Sequence, residues 1–481
     1  MSITRISLKN RYISIQKSMN NYSQRVTASL ETKKSSGHLL VLDGVRAVAC
    51  LAVILHHIVY HIVLPEHWSG LWTPSGKAQE IFAALLSFGE SGVILFFLLS
   101  SFLLFLPFAK ALLFDGEWPS LSRFYIRRFF RILPGYYAAI ILMVLFFHPE
   151  LSYPENMWKL LQLFTFSMQF SVADQLNGPF WTMAIEFQFY LLLPLIAWVI
   201  SLIVRRGTVR WRVTRLFICL LVMLGWGLLS RREGLIIQPS GTTFPQNILA
   251  FLQPVYSGEK GKFFESFAIG MLLAMLYVYT QNAPNGEILR RRLQGWSLWL
   301  FLIGLVTLGF VAVDDFFVIH PEFMTSFARI EHYRPLLTHI DIQWQTTAYS
   351  ICYAFCLCAL LYNAGRIRRP FEWPVLRWIG LFSFSLYMWH FPLLLLFLNM
   401  MREQPVGTPH KLELVALVAW VFFVIFPLSL TLYRWIEMPG IRLGEMLIQR
   451  VGRSKKVVAV SADSDTSAQG VASNSLVEVP S

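Results

Sequence analysis

Charged residues are scarce in this chain of 481 residues, because Asp, Glu, Lys and Arg together make up only 14% of it. A soluble globular domain carries about 25%, so most of the sequence does not belong to that class. Cysteine is scarce as well, and all five cysteines lie inside apolar runs: Cys50, Cys219, Cys352, Cys356 and Cys358. Their placement predicts small core residues and no disulfide framework. No stretch resembles an appended soluble catalytic domain, so any chemistry must lie within the membrane.

Hydrophobic residues are abundant instead, at 55% of the chain, with 40 Phe and 16 Trp. Apolar runs of about 20 residues, long enough to cross a bilayer as helices, recur through the sequence. We therefore predict an all-α, polytopic transmembrane bundle of about ten spans. The expected spans lie near residues 41–63, 86–108, 130–148, 180–203, 214–230, 263–280, 295–313, 345–363, 378–400 and 413–436.

Basic residues outnumber acidic ones, 41 to 28, which gives a formal net charge of +13. The basic stretches 205–215, 290–292 and 366–369 all fall on one side of the predicted bundle. Because cytoplasmic loops carry an excess of Lys and Arg, this asymmetry predicts that both termini are cytoplasmic. The positive charge is then expected beside anionic lipid, and no nucleic-acid partner is predicted.

The polar ends of the chain set the predicted domain boundaries. Residues 1–40 read as a basic cytoplasmic arm, with no small-residue cleavage site after a short apolar run. Residues 41–445 form the transmembrane domain. Residues 446–481 are first basic, then small and polar without periodicity, which predicts a disordered cytoplasmic tail.

Arg46 and His57 lie on the first predicted span, about three helical turns or 16 Å apart, and so leave the same helix face. Ionisable residues inside a membrane are kept where they face an interior cavity, which marks a functional site. The simpler alternatives are an arginine that reaches lipid phosphates and a structural histidine. His57 and His61 have the i, i+4 spacing of metal ligands, but no third ligand matches them, so we predict no metal site.

Glu186 is an acid inside the apolar fourth span, at a predicted depth similar to that of His57. A base and an acid at one level in a low-dielectric bundle suit proton transfer, because each changes the proton affinity of the other. A structural His–Glu pair that holds two helices together is the alternative.

Three arginines, Arg127, Arg128 and Arg131, stand at the entrance of the third span. Arg128 and Arg131 share a helix face at i, i+3, and guanidinium groups suit the binding of a polyphosphate. Ordinary basic flanking of a membrane span is the alternative.

Six segments in register resemble the membrane-bound acyltransferase-3 family over roughly residues 38–445. They are LDGVRAVACLAVILHH with Arg46 and His57, GVILFFLLSSF, RRFFRILP, the pattern of Trp181, Glu186, Phe189, Tyr190 and Pro194, SFSLYMWHFP, and the terminal IEMP. One departure is Ser101, which stands where the family usually has glycine.

The resemblance implies an O-acyltransferase that takes an acyl group, probably best represented by acetyl, from cytoplasmic acyl-CoA, with no bound cofactor. The implied acceptor is a hydroxyl of an extracytoplasmic glycan or glycosylated molecule. The hypothesis assigns a general base (His57), a group that orients it (Glu186), charge stabilisation (Arg46), donor phosphate contacts (Arg127, Arg128, Arg131) and substrate contacts (Ser100, Trp181, Tyr190, His390).

The sequence leaves several alternatives open. A proton-coupled transporter is the second functional class, because intramembrane His, Glu and Arg also build proton relays. The identities of the acyl group and acceptor, the choice between direct transfer and a covalent intermediate, and the oligomeric state are not predicted.

Overall fold

The computed structural model describes residues 39–59, 86, 88–168, 176–236, 262–319, 342–363, 365–402 and 410–450. Every regular element in these ranges is helical. The predicted arm, most of the predicted tail, and His61 lie outside the described residues. The all-α prediction is therefore confirmed for the described part of the chain.

Thirteen α-helices make up the described bundle. In chain order they are α1 (Leu40–Ile58), α2 (Gly92–Phe114), α3 (Leu121–Phe146), α4 (Met157–Phe164), α5 (Phe180–Val204), α6 (Val209–Ile236), α7 (Phe264–Asn282), α8 (Gly286–Ile319), α9 (Ile342–Tyr362), α10 (Pro374–Leu381), α11 (Ser383–Arg402), α12 (His410–Trp420) and α13 (Phe426–Leu432). Two π-helical turns, Val421–Ile425 and Tyr433–Glu437, flank α13, so the last span runs from Leu412 to Arg450.

Ten helices in the described ranges are long and apolar enough to cross a membrane, and each overlaps one of the predicted spans. The prediction of a multi-pass bundle of about ten spans is confirmed. Two boundaries differ from the prediction. The third span begins at Leu121 rather than near residue 130, so its arginine-rich segment is itself helical. The predicted span 378–400 is broken at Phe382, which separates α10 from α11.

The helices differ in how deeply they lie in the bundle. In the most apolar window of each span, 72% of the residues of the α2 span are buried within the protein, compared with 17% in the last span. Large apolar side chains such as Trp198, Trp211 and Phe423 are exposed on the outside. In a bilayer this surface faces lipid tails, so its exposure is expected. Helix α2 is thus the central element around which the site is built.

Close backbone contact between α1 and α10 holds the start of α1 in place. A Cβ atom on Gly380 would lie 2.0 Å from the carbonyl oxygen of Asp43, a separation that only glycine allows. Asp43 is 2% exposed, and its carboxylate lies 3.8 Å from Arg46 Nη1 and 4.0 Å from Arg377 Nε. The packing of α10 therefore positions a carboxylate beside Arg46 at the edge of the interior.

Candidate active site

A cavity of about 770 Å³ lies among α1, α2, α3, α5 and α11. Six residues selected from the sequence line it: Arg46, Ser100, Arg128, Arg131, Glu186 and Tyr190. Along α5 its lining extends from Thr182 to Tyr190, which is about 12 Å at the rise of an α-helix. Five helices that are distant in sequence thus bring most of the predicted polar residues to one interior space.

The charges that line this cavity are unbalanced. Arg46, Arg128 and Arg131 contribute three positive charges and Glu186 one negative charge, so the formal sum is 3 − 1 = +2. Within the described part of the chain, neither Arg128 nor Arg131 forms an ion pair. Arg128 lies over the ring of Tyr190, 6.0 Å from its centroid. Since burying unpaired cations in a membrane protein is costly, this arrangement favours an anionic ligand.

Glu186 is held by two hydroxyl groups. Its Oε1 accepts hydrogen bonds from Ser100 Oγ on α2 and from the Tyr190 hydroxyl one turn further along α5. The Tyr190 hydroxyl also lies 3.3 Å from Ser100 Oγ. The three groups form a compact triangle on the cavity wall, in which the carboxylate is the acceptor and one hydroxyl comes from a neighbouring helix.

His57 belongs to a second polar cluster beside the cavity. Its Nδ1 lies 3.1 Å from His390 Nε2 and 3.0 Å from the carbonyl oxygen of Val53. His390 is fully buried, and its Nδ1 lies 2.7 Å from the carbonyl oxygen of Tyr387. Tyr387 lines the cavity, with its ring centroid 5.7 Å from that of His390. Tyr387 therefore connects the two clusters.

The structure gives His57 and Glu186 different partners. The sequence hypothesis places Glu186 next to His57 as the group that orients the imidazole. Among the described contacts, His390 occupies that position, while the carboxylate binds Ser100 and Tyr190. The physical reason is rotation of the helices, since similar depth brings two side chains together only when their faces also point at each other.

Two other predicted residues lie outside the cavity lining. Arg127 is exposed on α3, one position away from the inward-facing Arg128. Trp181 packs its ring against Phe263, with 5.6 Å between centroids. Within the described residues there is no group of three or more His, Cys, Asp or Glu side chains arranged to hold a metal ion.

The sequence hypothesis missed the role of Tyr387. Besides its place beside His390, its hydroxyl lies 2.9 Å from Thr182 Oγ1 at the start of α5. The available signal is the spacing within SFSLYMWHFP, because Tyr387 and His390 at i, i+3 share one helix face. Ser383, one turn before Tyr387, also lines the cavity.

Comparison with known proteins gives a consistent result. A family model described as an acyltransferase domain, the acyltransferase-3 model, matches residues 39–434. The chain is 25% identical over 426 residues to the peptidoglycan O-acetyltransferase OatA of Listeria monocytogenes, covering 85% of this chain and 56% of that protein. It is 24% identical over 417 residues to YrhL of Bacillus subtilis, provisionally named a peptidoglycan O-acetyltransferase, covering 83% and 54%.

The chain spans about half the length of the curated relatives that it matches. No solved structure matches it.

Proposed function

This chain belongs to the acyltransferase-3 family of membrane proteins, and from that premise we propose that it is an integral membrane O-acetyltransferase. The proposed donor is acyl-CoA bound from the cytoplasm. The proposed acceptor is a hydroxyl of an extracytoplasmic glycan, of which peptidoglycan is the first candidate, because two relatives carry peptidoglycan in their names.

The observation that carries this proposal is the cavity with a net charge of +2 beside a hydroxyl–carboxylate cluster. Coenzyme A is a polyphosphate with a long flexible arm. Arg128 and Arg131, which lack ion pairs in the described part of the chain, suit its phosphates through charge-assisted hydrogen bonds. The arm and thioester would then lie along the cavity, beside Glu186.

Two residues act on the acceptor side of the proposed reaction. His57 is the general base that takes the proton from the acceptor hydroxyl, and His390 holds its ring. Arg46 lines the same cavity as Glu186 and supplies positive charge to the oxygen that becomes negative as the acyl carbonyl is attacked. In a space closed to bulk water such charges act more strongly than they do in solution.

The experiment is reconstitution of the purified full chain in liposomes, with radiolabelled acetyl-CoA on one side and soluble peptidoglycan fragments on the other. We expect label in the fragments as an ester that mild base releases. Movement of protons or solute without acyl transfer would support the proton-coupled transporter and overturn the proposal. Label that appears only when donor and acceptor are on the same side would contradict transfer across the membrane.

The matched variants separate chemistry from assembly. His57→Gln and Glu186→Gln should assemble in the membrane and lose transfer, whereas Arg127→Gln should behave as wild type because Arg127 is exposed and outside the cavity lining. Transfer near the wild-type rate in His57→Gln would remove that residue from the catalytic role.

A further inference from the structure

Ser100 differs from its neighbour Ser101 in where its hydroxyl points. A serine inside an apolar helix commonly bonds a carbonyl oxygen of its own preceding turn. Ser101 does so, with its Oγ 3.1 Å from the carbonyl oxygen of Leu98. Ser100 instead donates across the helix interface to Glu186 Oε1 on α5. Its hydroxyl is therefore directed at a carboxylate in the cavity rather than used to satisfy its own helix.

The surroundings of Ser100 are those of an activated nucleophile. Such a site needs a nucleophile, a base within hydrogen-bond reach and a third group that orients the base. Ser100, Glu186 and Tyr190 provide these three in order, since Tyr190 donates to the same carboxylate oxygen. Arg46 and Arg128 line the same cavity and can neutralise negative charge that develops on an acyl oxygen.

The structure also contains two separate bases. Glu186 lies in the cavity, and His57 lies in the neighbouring histidine pair, which is not part of the cavity lining. A single direct transfer needs one base, at the acceptor hydroxyl. Two bases with different partners suit two half-reactions, one in which the donor is used and one in which the acceptor is modified.

We propose that Ser100 carries the acyl group as an ester between these half-reactions, an inference that rests on the proposed function. In the first, Glu186 takes the hydroxyl proton and Ser100 Oγ attacks the thioester carbon. The carbon–sulfur bond breaks, and the proton passes to the leaving thiolate to give free coenzyme A. In the second, His57 takes the proton of the acceptor hydroxyl, whose oxygen attacks the serine ester. The acyl–Oγ bond breaks, and Ser100 regains a proton.

The test uses the purified full chain with radiolabelled acetyl-CoA and no acceptor, followed by acid quench, digestion and mass spectrometry. We expect one acyl group on the peptide that contains Ser100. His57→Gln should retain this label and fail to pass it to peptidoglycan fragments, so the intermediate accumulates. Ser100→Ala should lose both label and transfer, by at least about 100-fold, the scale of a lost nucleophile or base.

Two further variants provide controls. Ser101→Ala should keep labelling and transfer, because that hydroxyl bonds its own helix and is absent from the cavity lining. Ser100→Cys should move the label into a thioester that neutral hydroxylamine cleaves, a signature that a structural role of Ser100 would not produce.

Three outcomes overturn the acyl-serine. They are transfer by Ser100→Ala within about tenfold of wild type, label on another residue, and an unlabelled His57→Gln protein while wild type transfers. In each of these, transfer by wild type leaves the proposed function intact. Absence of both transfer and label in wild type would overturn the proposed function itself.

Discussion

His390 Nε2 lies 3.1 Å from His57 Nδ1, and this contact determines which nitrogen of His57 is available for chemistry. The carbonyl oxygen of Tyr387, 2.7 Å from His390 Nδ1, only accepts, so in the neutral ring Nδ1 carries the hydrogen and Nε2 accepts. The carbonyl oxygen of Val53 likewise requires a hydrogen on His57 Nδ1. The lone pair of His57 therefore lies on Nε2, the nitrogen that can act as base.

Replacement of His390 tests this arrangement. His390→Leu removes the acceptor for His57 Nδ1, which matters most when the His57 ring is charged, so kcat should fall roughly 10- to 100-fold, as expected for about 1.5–3 kcal/mol. His390→Gln offers an amide oxygen and should retain more activity than the leucine variant. The KM for acetyl-CoA should stay unchanged in both, because His390 is not part of the cavity lining. Equal activity of the two variants would contradict an acceptor role.

Arg128 and Arg131 should determine donor affinity, with Arg127 as the matched control on the same helix. Loss of one guanidinium–phosphate contact is worth about 1.5–3 kcal/mol, so Arg128→Gln and Arg131→Gln should raise the KM for acetyl-CoA about 10- to 100-fold. Arg127→Gln should leave it unchanged, because Arg127 is exposed. Steady-state kinetics at fixed salt measure the difference. Similar effects in all three variants would indicate general surface charge instead of the cavity.

The ion pair between Arg231 and Glu265 is buried, and removing one partner should be strongly destabilising. Arg231 Nε lies 3.1 Å from Glu265 Oε1, and the Glu265 side chain is 0% exposed. Glu265→Gln leaves a buried cation without its charge partner, at a cost of about 3–5 kcal/mol. Glu287→Gln removes the partner of Arg291 in a pair whose side chains are 55% and 75% exposed.

Thermal unfolding in detergent compares these two variants. We expect a large fall in Tm for Glu265→Gln and almost none for Glu287→Gln, because exposed pairs are screened by solvent. Equal falls would show that burial does not set the strength of the Arg231–Glu265 pair.

Gly270 should tolerate no side chain, because α2 and α7 approach each other closely there. A Cβ atom at this position would lie 2.0 Å from Ser101 Oγ and 2.5 Å from the carbonyl oxygen of Leu98. Gly270→Ala should cost about 1–3 kcal/mol by overpacking. Adding Ser101→Gly should restore part of the loss, since it removes the hydroxyl but not the carbonyl. Gly309→Ala is the control, because no described atom lies within 4 Å of its Cβ position.

Lys262 should make stability depend on pH in the alkaline range. It lies just before α7, is 5% exposed, and its Nζ donates to Gln188 Oε1 at 2.8 Å. Burial lowers the pKa of Lys262 from 10.5 to about 7. Between these values the unfolded chain holds a proton that the folded chain lacks, so raising the pH stabilises the folded state by up to about 1.4 kcal/mol per pH unit.

Comparison with Lys262→Met isolates this effect. The Tm of wild type relative to Lys262→Met should rise as the pH increases from about 7 toward 10.5, and should be constant below about 7. A difference that does not change with pH would show that Lys262 is charged in the folded chain throughout this range.

The number and positions of the spans could be predicted because apolar length is a property of each segment alone. A run such as 180–203 must be helical in a membrane, whatever its neighbours are, since its backbone groups have no water to bind. The inward direction of Arg128 and Arg131 also followed from their spacing on one helix face. The break at Phe382 was missed because α10 and α11 are continuous in hydropathy and part only in three dimensions.

The partners within the site could not be predicted in the same way. Depth along a helix can be counted, and on that basis His57 and Glu186 were expected to meet. Which groups touch depends on the rotation and tilt of each helix about its own axis, and these are set by packing elsewhere, such as the contact of Gly380 with Asp43.

The linear order of residues thus determined a multi-pass helical bundle with polar groups buried inside it, because hydropathy and helix periodicity are local. Only the tertiary structure decided that Glu186 binds Ser100 and Tyr190, and that His57 binds His390. Hydrogen bonds between helices require distances near 3 Å, and the relative placement of whole helices, which no single segment encodes, sets those distances.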